Sequence, residues 1–280
     1  MPSINRIIDR LRPKSYGRKE PLILVNGLAE QAESWYKNRR AWSRSFDVHM
    51  PNFLVYSGSA LHAKIEAKEP ISVEYLVSQL HTYVTQFVQD PPYHIVASSL
   101  GGKIAVEFAV QYPELVNRLV LLCPSGMGDK EQLPIMEGVK ASDWNAVVGS
   151  VFHRRRFVDV GLVRYYQQAM ANRKWKTGML RTIRGTLEHT VRGKLKDIQA
   201  ETLFVTGARD RICCPKTAAS AAKELRHGHF LSIPKCGHAP QIEKARLVNR
   251  LVTQFLTVAD PSESPGWKKL LLAQPTRVKR

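Results

Sequence analysis

The sequence predicts a doubly wound α/β fold: a mostly parallel sheet with helices on both faces and a helical cap inserted into it. Three observations carry this expectation. Short β-branched apolar runs alternate with longer helical patterns between residues 21 and 258. The runs are apolar almost without interruption, as strands covered on both faces are. One stretch, about 127–197, breaks the rhythm, with short helical patterns and no strand pattern.

In chain order, residues 1–20 are basic and helical in pattern and form an N-terminal arm. PLILVNG (21–27) and FDVHMPN (46–52) read as strands. VEYLVSQLHTYVTQFVQ (73–89) has apolar residues three and four apart, so it reads as a helix, with Ser72 as its N-cap and no Glu at the third position to complete a capping box. HIVASS (94–99) is the next strand, and KIAVEFAVQYP (103–113) a helix that starts after Gly102 and stops at Pro113. RLVLLCP (118–124), ETLFVTG (201–207) and HFLSIP (229–234) are further strands, and KARLVNRLVTQFLTV (244–258) is the closing helix. Residues 21–126 and 198–258 therefore form the core, 127–197 the cap and 259–280 a basic tail.

With 280 residues, 44% of them hydrophobic and 24% charged, the composition is that of a folded globular protein and not of a disordered one. No apolar run reaches the roughly 18–20 residues of a spanning helix. The first residues lack the apolar segment of a secretory signal. Cys123, Cys213, Cys214 and Cys236 show neither a disulfide framework nor zinc spacing, so reduced thiols and a cytoplasmic setting are expected. The net charge of +18 favours acidic partners. Between residues 151 and 196 twelve Lys or Arg stand against only Asp159 and Glu188, so the cap is the main source of that charge.

Residues 94–107, HIVASSLGGKIAVE, put two serines at a strand-to-helix junction. A nucleophile on such a tight turn needs small residues two before and two after it. Ser99 has Ala97 and Gly101 there, whereas Ser98 has Val96 and Leu100. Ser99 is the candidate nucleophile. TLFVTGARD leaves a strand and places Asp210 in the next loop, and FLSIPKCGH leaves another and places His238 in a Gly-His turn.

These motifs resemble the α/β-hydrolase family. ASSLG stands where that family most often has G-x-S-x-G, and Ser99, Asp210, His238 follow its chain order. The resemblance runs from about Pro21 to Val258 and is weakest in the cap. It implies that Ser99 attacks an acyl carbon, that His238 acts as base and then acid, and that Asp210 orients the imidazole. Asp129, after the preceding strand, is the alternative acid. The resemblance also implies backbone donors for the oxyanion at Leu100 and at Leu28, the latter in NGLAEQAESW. Here Asn26-Gly27 replaces the usual His-Gly, and a plain turn is the other reading of that loop. MPNFLVYSGSAL replaces the family's Asp-x-x-Gly-x-Gly loop, and the arm stands where many members have an antiparallel hairpin. An Asp at position 99 would have pointed to dehalogenase or epoxide hydrolase chemistry.

The resulting expectation is a serine hydrolase cleaving a carboxylic ester or thioester of a small molecule, needing no metal or cofactor. C–C bond hydrolysis or acyl transfer by the same triad is an alternative, and so is a non-catalytic binding protein that keeps the fold. Phe152, Phe157, Tyr165, Tyr166, Met170, Trp175 and Met179 either line an acyl pocket or form the cap's own core. The basic cap either is a plain solvated face or meets an acidic acyl-carrier protein, an anionic substrate or an anionic membrane surface. GWKKLLL (266–272) has the mix of an interfacial anchor. Nucleic acid is disfavoured, because no aromatic–basic stacking module is present.

Overall fold

A computed structural model of the chain describes residues 18–258, apart from 29, 31, 53–58, 70, 129–142 and 159. The expectations for most of the N-terminal arm, for Asp129 and for the tail with GWKKLLL lie outside the described residues.

Six strands form one sheet: β1 (Glu20–Val25), β2 (Phe46–His49), β3 (Tyr93–Ser98), β4 (Val116–Leu122), β5 (Glu201–Gly207) and β6 (Gly228–Ile233). Their order is β2-β1-β3-β4-β5-β6, and every neighbouring pair is parallel. The order reverses between β1 and β3, whose carboxyl ends meet at the Val25–Ala97 pair. In open α/β sheets this switch point is where a crevice forms and ligands bind.

Alternation along the strands sorts side chains to two faces. Leu22 and Leu24 of β1, Val96 of β3 and Val120 of β4 share one cluster with Trp35 and Trp42. Ile23, Val25, Ile95, Leu119 and Leu121 enter the other. The helices are α1 (Arg39–Trp42), α2 (Ser59–Glu66), α3 (Val73–Phe87), α4 (Leu100–Gln111), α5 (Trp144–Val151), α6 (Val160–Ala171), α7 (Arg173–Thr186), α8 (Pro215–Ala221), α9 (Pro240–Glu243) and α10 (Ala245–Thr257). Ser72 caps α3 by accepting the Tyr75 N–H at 3.3 Å. In α10, Val248, Leu251, Val252, Phe255 and Leu256 make one apolar stripe against the first face.

Helix α4 begins at Leu100, not after Gly102, so both glycines lie in its first turn. The reason is contact: a methyl on Gly101 would lie 2.4 Å from the Val25 carbonyl oxygen, and one on Gly102 would lie 2.5 Å from Pro124 Cβ. Strand β2 also ends at His49, short of the expected 52.

Helices α5, α6 and α7 fall between β4 and β5. Phe152, Met170, Trp175 and Met179 are buried in the same cluster as α3 and α4, with Phe157 and Tyr166 partly buried against it. Those aromatic and Met residues thus close the core under α5–α7. Polar ties join this region to α4. Buried Lys103 donates to the carbonyls of Thr186 (2.9 Å) and Leu187 (3.4 Å). The carboxylate of buried Glu107 receives Lys194 Nζ on both oxygens at 2.7 Å and lies 2.7 Å from His189 Nε2. A buried charge is tolerable only with such partners.

Candidate active site

Loops leaving β1, β3, β5 and β6 converge at the carboxyl edge of the sheet. Between β3 and α4, Ser99 adopts φ 50° and ψ −118°, a conformation that L residues avoid. Three backbone bonds hold it there. The Ser99 N–H donates to Leu122 O (3.1 Å), and Ser99 O accepts from Gly102 N–H (2.8 Å) and Ser125 N–H (3.1 Å). Ser99 is half-buried, while Ser98 is 1% exposed and its Oγ accepts from Gln241 Nε2 at 3.2 Å. The two neighbouring serines are thus placed differently, one at the crevice and one inside.

Asp210 and His238 meet in the loops after β5 and β6. His238 Nδ1 lies 2.9 Å from Asp210 Oδ2 in a buried pair. The other carboxylate oxygen accepts the N–H groups of Ile212 (2.8 Å) and Cys213 (3.1 Å). Burial alone would raise the Asp210 carboxyl. His238 and those two N–H groups outweigh it and hold the acid below its ordinary value. Gly207 makes this meeting possible, because a methyl there would lie 2.0 Å from Gly237 O.

The turn before His238 is held by a residue that sequence reading passed over. The Glu243 carboxylate, 6% exposed, accepts the N–H groups of Gly237 (2.7 Å), His153 (3.2 Å) and Arg154 (3.1 Å). The His238 N–H donates to Val151 O at 2.8 Å. Its imidazole is therefore positioned jointly by the sheet edge and by Val151 at the end of α5.

Beneath the pair lies Cys123, at φ 46°, with its ligand-type atom within 4.8 Å of those of Asp210 and His238. Its Sγ accepts the Gly207 N–H at 3.4 Å. Burial and the nearby Asp210 charge push the thiol well above its ordinary value. Of the three, Asp210 already accepts two N–H bonds on Oδ1 and faces His238 Nδ1 with Oδ2.

The loop after β1 completes the site. Leu28 and Leu100 line a small cavity of about 30 Å³ together with Ser99, Lys103, Ser125 and Ile212. Leu100 is the first residue of α4, so its N–H has no partner inside the helix. A methyl on Gly27 would lie 2.9 Å from Ser99 Cβ, which places this loop directly against the serine. Glu30 turns its carboxyl into the same corner, and His238 is close enough to act on its charge.

The profile of the Alpha/beta hydrolase family matches residues 22–251. The chain belongs to that family. A monoacylglycerol lipase of Xenopus laevis is 22% identical over 264 residues, 86% of this chain and 76% of the lipase. A 2-hydroxy-6-oxo-6-phenylhexa-2,4-dienoate hydrolase of Comamonas testosteroni is 28% identical over 180 residues, 58% of this chain and 62% of that protein. Among solved structures, a meta-cleavage product hydrolase of Pseudomonas fluorescens superimposes with a TM-score of 0.73 at 21% identity, covering 87% of this chain and 93% of that one. No helix among the described residues is long and apolar enough to cross a membrane.

Proposed function

We propose that this hydrolase-family protein cleaves a carboxylic ester or thioester through an acyl-enzyme on Ser99. The observation that carries this function is the left-handed backbone of Ser99 at the switch point, together with a buried Asp210–His238 pair in the loops after β5 and β6. Strain of that kind costs of order 1–3 kcal/mol, and it is retained where it serves a site.

Ser99 Oγ attacks the acyl carbon while His238 takes its proton. Nδ1 of His238 faces Asp210, so the other ring nitrogen, Nε2, does the proton work. The carbonyl oxygen becomes an oxyanion held by the N–H groups of Leu100 and Leu28. His238 then returns the proton to the departing alcohol or thiol. Water repeats the sequence on the acyl-enzyme and releases the acid. Asp129, the other candidate acid, lies outside the described residues, and the short Asp210 contact favours Asp210.

A second function, C–C bond hydrolysis by the same residues, is favoured by the likeness to the Comamonas dienoate hydrolase. The basic cap would meet an acidic carrier protein or an anionic membrane surface that delivers the substrate, in the cytoplasm or at a membrane face. The deciding experiment is intact mass after exposure to a fluorophosphonate. The expected result is one adduct on the wild type and none on Ser99→Ala. An unlabelled wild type at neutral and mildly alkaline pH would leave the non-catalytic binding function in its place.

A further inference from the structure

The loop after β1 carries an acid that this mechanism leaves without a task. Glu30 Oε2 accepts the Gly27 N–H at 2.9 Å, and Asn26 Nδ2 donates to the Glu30 carbonyl at 2.8 Å, which fixes the residue in place. A methyl on Gly27 would touch both partners of the corner: it would lie 2.9 Å from Ser99 Cβ and 3.3 Å from both Cδ and Oε2 of Glu30. The Glu30 carboxyl and Ser99 Cβ therefore both border the space over Gly27. Among the described residues the titratable group that faces Glu30 is His238, from the turn after β6. Ser99, at the start of α4, brings no charge. Burial pushes the Glu30 carboxyl up from its ordinary value, and the Gly27 N–H and His238 offset this only in part.

A carboxyl in this corner acts in opposite senses in its two states. Ionised, it only accepts hydrogen bonds, and its charge stands beside the oxygen that gains negative charge in the reaction. Protonated, Oε2 still accepts the Gly27 N–H while the other oxygen carries a hydroxyl able to donate. We propose that Glu30 is a further catalytic residue, donating a hydrogen bond to the oxyanion when protonated and opposing the oxyanion when ionised; this rests on Ser99 being the nucleophile. No proton changes owner in this role, because the hydroxyl only strengthens its bond as the carbonyl oxygen gains charge.

The pH dependence is two-sided. His238 must be neutral to take the serine proton, so the rate rises with pH on that account. Glu30 must be protonated, and the neutral form of an acid is lost as pH rises through its titration, so the rate falls again on the alkaline side. The test is the rate of fluorophosphonate labelling of Ser99, followed by intact mass from about pH 5.5 to about pH 9. It compares wild type, Glu30→Gln and Glu30→Asp. Glutamine keeps an acceptor for Gly27 and a permanent donor, without charge. The ratio of Glu30→Gln to wild-type rate is expected to climb roughly a hundredfold across that range, the order of one oxyanion contact. Glu30→Asp, which keeps the charge, is expected to retain the alkaline fall. A ratio that stays flat with pH overturns the inference and leaves Glu30 as a prop for the loop. A wild type unlabelled at every pH overturns the serine-hydrolase function itself, and the inference with it.

Discussion

The turn that carries Ser99 and the loop that carries Leu28 lie side by side at the switch point of the sheet, yet different forces hold them. The Ser99 turn is fixed by backbone alone: three main-chain hydrogen bonds and two glycines pressed against Val25 O and Pro124. The Leu28 loop has one long backbone bond, Glu30 N–H to Gly27 O at 3.3 Å, and is otherwise tied by side chains, Glu30 to the Gly27 N–H and Asn26 to the Glu30 carbonyl. The first arrangement cannot relax without moving the sheet. The second can shift by turning two side chains. A nucleophile thus gains a rigid seat, while the oxyanion donor beside it is adjustable and sensitive to charge.

Substitutions can break this contrast. The largest effect is expected from Ser99→Ala, with activity falling by roughly a millionfold, as for other triad serines, and the melting temperature unmoved or slightly raised as the strain is kept or eased. Gly101→Ala comes next. Its methyl would meet backbone oxygen at 2.4 Å, so thermal unfolding should show a loss of about 3 kcal/mol or more. Gly27→Ala is the paired experiment on the loop. Its methyl meets Ser99 Cβ at 2.9 Å but has the movable end of Glu30 on its other side. Activity should drop roughly tenfold to a hundredfold while the melting temperature hardly changes. If both alanines cost stability equally, the contrast is wrong. Ser98→Ala should be mildest, at about 1 kcal/mol of stability for its bond to Gln241, with most activity kept.

The same contrast explains what could be read from the sequence. The placing of Ser99 rests on local sterics, and small flanks at Ala97 and Gly101 are visible in one short string. Strand ends put Asp210 and His238 in loops, and their pairing was implied by the family resemblance. The start of α4 was misread because a glycine pair is a poor helix former in isolation, and only Val25 O and Pro124 explain why small residues are needed there. Glu243 was invisible for another reason. Its three N–H partners come from residues 153, 154 and 237, far apart in the chain, and an acid near a helix ordinarily reads as solvated. Glu30 was hidden likewise: NGLAEQAESW points to backbone donors, and nothing in that string marks its acid. A lysine opening a helix ordinarily reads as solvated, and only the Thr186 carbonyl shows why Lys103 is buried.

The thiols under the acid–base pair turn the fold into its own stopwatch. Cys214 is exposed, whereas Cys123, Cys213 and Cys236 are buried. Burial pushes the Cys123 thiol well up and Cys236 beyond the usual thiol range. A maleimide added to the native protein should therefore add one label at once and the next three only as fast as the floor of the site opens. Counting labels against time would clock that opening at Asp210 and His238 without any engineered reporter.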